Sequence, residues 1–104
     1  SIGSIPTDAN QEDFVPMGMA AAFKASRILR NAAHVVASEL LCGAQGLEFL
    51  KPLRPGRGVA DLYGKVRSPA GGVPPLGADR PPAPDLARLA ARVLAGELAP
   101  SYLP

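Results

Sequence analysis

Residues 17–50 read MGMAAAFKASRILRNAAHVVASELLCGAQGLEFL, thirty-four residues without a proline. A helix of that length spans roughly 50 Å at ~1.5 Å per residue. At about 100° per residue, Arg27, Arg30, Asn31, His34, Ser38, Gln45 and Glu48 fall on one narrow arc. Met17, Ile28, Leu29, Val35, Val36, Leu40, Leu47 and Leu50 spread over most of the other side, and alanines fill the gaps. A surface helix carries a narrower apolar stripe than this. The pattern therefore predicts a helix enclosed by several partners, with Gly18, Gly43 and Gly46 permitting close approach. The remainder of the chain is too short and too rich in proline to enclose it, so the covering surface is expected from outside these residues.

The flanks fit that frame. Residues 1–16 read as a loop followed by a helix cap: short polar side chains at Asn10 and Asp13 accept free N–H groups, and Pro16 suits a first turn. Residues 51–84 hold most of the prolines and many of the glycines, beginning with the turn KPLRPGRG at 51–58. Val59, Leu62, Tyr63 and Val66 have helical spacing and predict a short helix near 59–67, weakened by Gly64. Residues 68–84, SPAGGVPPLGADRPPAP, offer no regular backbone hydrogen-bonding pattern and are expected as an extended loop. Leu86, Leu89, Ala90, Val93 and Leu94 then repeat at helical spacing, giving an amphipathic terminal helix over 85–96, with Asp85 at its start and Gly96 near its end. The expected fold class is all-α.

Composition narrows the function. The chain has 104 residues, is 47% hydrophobic and only 5% aromatic, and carries no tryptophan, which suits packed helices better than a β-sandwich. A net charge of +2, without clustered Lys and Arg, gives no basis for a nucleic-acid face. No apolar run is long enough and uncharged enough to span a membrane. Cys42 is the single cysteine, which excludes an intrachain disulfide and a thiolate cluster. It is expected as a small core residue, and one reduced thiol suits a cytoplasmic protein.

Chemistry-bearing patterns are few. There is no phosphate-binding glycine loop, no dinucleotide fingerprint, no metal-spaced His/Cys/Asp cluster and no serine-hydrolase elbow. His34, the only histidine, lies on the polar arc and reads as a solvated or interface residue. Arg54 and Arg57 read as solvated turn residues, although paired arginines also suit a phosphate or carboxylate. The segment NQEDFVPMG at 10–18 is the exception. Spacing alone favours a cap, with Glu12 near the positive end of the helix. Yet four polar residues crowd a place where one suffices, and a helix start is a rigid mount for a functional carboxylate.

SIPTDANQEDFVPMG at 4–18 resembles a segment of the aromatic amino acid ammonia-lyases, in its histidine-specific form Ser-Ile-Pro-Thr-Ser-Ala-Asn-Gln-Glu-Asp-His-Val-Ser-Met-Gly. The likeness continues through ELLCGAQGLEF, the PLRPGRG turn and the closing DRPPAPDLARL, and so covers essentially the whole chain. The resemblance implies that these residues are the C-terminal part of such an enzyme. The family eliminates ammonia from an aromatic amino acid, giving urocanate from histidine, and uses a methylidene-imidazolone electrophile made from an internal Ala-Ser-Gly. Here Ala25-Ser26 is followed by Arg27 and Ala37-Ser38 by Glu39, so the electrophile, the tyrosine bases and the carboxylate-binding arginine are expected in a preceding portion. Tyr63 and Tyr102 are not expected in those roles.

The resemblance further implies that Glu12 is catalytic and lies beside the substrate ring, with Gln11 and Phe14 also at the substrate. Phenylalanine-specific relatives carry glutamine where Glu12 stands, so Glu12 argues for histidine. Asp8 and Pro16 each replace a usual serine, and Phe14 stands where histidine is common. Phe14 keeps open a lyase or aminomutase acting on tyrosine or phenylalanine. The family fold is all-α, with a homotetramer built on a bundle of long helices and active sites shared between subunits. From another class, a helical assembly module without chemistry also fits the long apolar helix.

Overall fold

The computed structural model describes residues 18–100, and among these it is built of three helices without strands. α1 runs Gly18–Leu50, α2 Arg57–Val66 and α3 Ala83–Leu94. α3 packs along the second half of α1, and α2 packs beside it near the end of the rod.

The core is a line of small residues on α1 that admits larger ones from elsewhere. Ala33, Ala37 and Ala44 are buried on α1 and meet Val66, Val73, Leu89 and Ala90. Leu40, Leu41, Leu62, Tyr63, Leu86 and Val93 close around this centre. Alanine stabilises the helix at no side-chain entropy cost and lets α3 approach closely.

The boundaries of α2 and α3 differ from their sequence expectation by local chemistry. α2 starts two residues before its apolar repeat, because the Ala60 N–H donates to the Gly56 carbonyl at 2.8 Å and the turn includes the exposed Arg57 and Gly58. α3 starts at Ala83 and takes Pro84 into its first turn, where a missing N–H costs nothing. It ends at Leu94, short of the expected 96. There the Glu97 N–H donates to the Arg92 carbonyl at 3.1 Å and the Gly96 N–H to the Val93 carbonyl at 3.1 Å. This double closure places Gly96 at φ 76, a left-handed position that a β-carbon disfavours.

The segment 68–84 is not a loose loop. The Val73 N–H donates to the Val66 carbonyl at 2.7 Å, and the Gly72 N–H to the Ser68 carbonyl at 2.8 Å. That tight return drives Val73 into the core, fully buried. Arginines then bind the remaining carbonyls: Arg67 that of Val73 at 2.9 Å, Arg88 that of Gly72 at 3.0 Å, and Arg80 that of Pro74 at 2.7 Å. Arg80 also pairs with Asp85 at 2.9 Å. From α1, Gln45 accepts the Leu76 N–H at 3.0 Å. Side chains supply what the proline-rich backbone cannot give itself.

A β-carbon at Gly72 would lie 2.3 Å from the Ser68 carbonyl oxygen, with backbone atoms on every close side. Gly72→Ala must therefore open the return that seats Val73. The expected cost is about 3 kcal/mol, in the range of backbone-strain and cavity mutants. It is read as a lowered thermal unfolding midpoint of the full-length protein.

Candidate functional site

Gln11, Glu12 and Phe14, the residues expected at the substrate, lie outside the described residues, as does Tyr102. The structure does describe what NQEDFVPMG runs into. Its last residue, Gly18, is the first of α1. Residues 18–32 are all exposed, including Met19, Phe23, Ile28 and Leu29, at 58% or more. The first buried residue of α1 is Ala33, about 22 Å along the axis from Gly18 at ~1.5 Å per residue. α2 and α3 thus anchor one end of a rod whose other end carries the motif.

The apolar face of α1 is uncovered on the side away from α3. Ile28, Val35 and Phe49 are 58%, 61% and 80% exposed. Cys42 stands on this same side and is exposed, so the expectation of a core cysteine is corrected. The core runs along Ala33, Ala37 and Ala44, and Cys42 points away from that line. His34 is exposed, and its Nδ1 donates to the Arg30 carbonyl one turn back at 2.9 Å. Arg54 and Arg57 are exposed, and no described residue forms an ion pair with them.

One polar cluster converges among the described residues, at the C-terminal end of α1. The Tyr63 hydroxyl donates to Glu48 Oε1. Arg67 Nε lies 3.3 Å from the same oxygen, and Lys51 Nζ lies 2.9 Å from Glu48 Oε2. Arg67 and Lys51 also stand over the Tyr63 ring, at 5.7 and 5.8 Å from its centroid. The Tyr63 hydrogen bond, then that of Lys51, holds the Glu48 carboxyl down at about 2. Glu48 in turn raises the Lys51 ammonium above its ordinary value.

So low a carboxyl is a weak base, and its lone pairs are occupied. The cluster is a clamp between α1 and α2. Sequence reasoning left Glu48 on the polar arc of α1 without a partner; the Glu48 and Lys51 spacing of three residues was the available signal.

The clamp has a pH signature. The Glu48 carboxyl lies lower when folded than its ordinary 4.5, so its stabilisation is complete above about 4.5 and is lost as pH falls toward about 2. Removing the first cause by Tyr63→Phe is expected to move the carboxyl back toward its ordinary value. Carbon-detected NMR titration of the Glu48 carboxyl checks this, and an unmoved midpoint contradicts it.

The described residues hold no catalytic constellation. A groove of about 290 Å³ between α1 and α2 is lined by Leu40, Gly43, Leu47, Val59 and Leu62, with Glu39 at its rim. It is apolar, without polar groups converging on a reacting atom. No three His, Cys, Asp or Glu among the described residues could share a metal. No helix among them is long and apolar enough to cross a membrane. Ala25-Ser26-Arg27 and Ala37-Ser38-Glu39 both lie inside the continuous helix α1, Ala37 fully buried and Ser38 Oγ donating to the His34 carbonyl at 2.9 Å. Neither triplet fits a backbone-cyclised electrophile, which needs an unhindered glycine nitrogen free of helical hydrogen bonding.

Among the described residues the chain is all-α, with one long rod whose apolar face is half uncovered. Residues 1–68 match the family model described as aromatic amino acid lyase. The chain belongs to the aromatic amino acid lyase family. It is 50% identical over 98 residues to a histidine ammonia-lyase of Deinococcus radiodurans, covering 94% of this chain and 18% of that protein. It is 47% identical to one from Symbiobacterium thermophilum, again over 94% of this chain and 19% of the relative. A Caenorhabditis elegans histidine ammonia-lyase is 46% identical over 83% of this chain and 12% of its own length. The chain therefore spans about a fifth or less of the length of these relatives. No solved structure matches it.

Proposed function

We propose that this chain is the C-terminal part of a cytoplasmic histidine ammonia-lyase, which converts L-histidine to urocanate and ammonia. The observation that carries the reading is the presence of Glu12, within NQED, in a chain 50% identical to a histidine ammonia-lyase across 94% of its length. In the reaction the Cα–N bond breaks, a Cβ proton leaves, and a conjugated double bond forms.

The chain's own part is at the ring. The Glu12 carboxylate accepts an imidazole N–H and favours the protonated ring, which a neutral amide does less well. Gln11 lies beside it as a polar neighbour, and Phe14 bounds the ring's apolar edge. The methylidene-imidazolone, which activates the substrate as an electrophile, is formed from an Ala-Ser-Gly in a part of the protein outside these residues. The uncovered half of α1 supports a homotetramer with α1 in its core. Phe14 favours one second reading, a tyrosine or phenylalanine ammonia-lyase or aminomutase, and Glu12 counts against it.

The test is turnover by the full-length protein, followed by the rise in ultraviolet absorbance of the conjugated product. Histidine is expected to be the preferred substrate. Turnover of phenylalanine or tyrosine with histidine inert would select the second reading, and no turnover of any of the three would leave the helical assembly module. The 104-residue chain alone is expected to be inactive. Histidine turnover by that chain, free of any longer one, would contradict this.

A further inference from the structure

We draw no further inference here: the strongest candidate, the cavity of about 210 Å³ between α1 and the start of α3 that Gln45, Arg67, Asp79, Arg80 and Asp85 line, carries nothing, because the buried donor beside it, Arg67 Nη2, is sealed from solvent by the chain's own atoms, Arg80 and Asp85 already pair with each other, and nothing in the structure shows what covers the cavity's mouth.

Discussion

Glu12→Ala in the full-length protein is expected to lower kcat/KM for histidine by about 100-fold, which corresponds to ~2.7 kcal/mol of lost transition-state stabilisation. On the proposed reading, Glu12 makes a charge-assisted hydrogen bond to the imidazole. Such bonds contribute about 1.5–3 kcal/mol, and more in a site that excludes water. Alanine leaves the ring N–H without its partner. A ring held only by shape is also free to turn, so part of the loss falls on kcat through misorientation. Glu12→Gln keeps an acceptor but removes the charge, and its loss is expected to be smaller. Steady-state rates on the three proteins give the comparison. A Glu12→Ala protein with unchanged rates would return the segment to helix capping.

Leu89→Ala has the largest expected effect on the helical cap that α2 and α3 form on the second half of α1. Leu89 is fully buried at the centre of α3, against the alanine line of α1. Truncating such a leucine costs about 2.7–5 kcal/mol, because alanines on the facing helix cannot move to refill the space. At about 3 kcal/mol the cap opens more than 100-fold as often. Hydrogen exchange of α3 amides in the full-length protein measures this. The start of α1, next to the proposed site residues, is about 22 Å from its first buried residue at ~1.5 Å per residue. Histidine turnover at low temperature is therefore expected to survive a change that loosens α3.

What the sequence makes legible follows from which interactions are local. The rod α1 is read from residue type and the absence of proline, and its undercovered state from the breadth of its apolar arc. α3 is read from its repeat. Where reading fell short, the deciding contact was one that no regular spacing announces. Cys42 was expected inside, but the core follows Ala33, Ala37 and Ala44, whose small side chains carry no hydropathic signal of their own. The order in 68–84 comes from Arg67, Arg80, Arg88 and Gln45 binding its backbone. No spacing rule links those residues to the carbonyls they serve. Glu48 was read only as part of the polar arc because Tyr63 and Arg67 meet it from α2 and its C-terminal cap.

The candidate site was legible in a different way. Nothing in spacing distinguishes Glu12 from a residue near a helix cap. Its resemblance to a family segment raised it, together with Gln11 and Phe14, and the family match over residues 1–68 includes all three. The described structure adds the mount: a rod anchored at one end by α2 and α3, which enters the motif at its other end.

The most direct test of the central claim is the ratio of kcat/KM for histidine to that for phenylalanine, measured on the full-length protein and on its Glu12→Ala variant under the same conditions. The account predicts a ratio well above one that collapses by about 100-fold in the variant, since only the imidazole loses a partner. A ratio that is the same in both proteins would contradict it, because substrate choice would then be made elsewhere and Glu12 would not be at the ring.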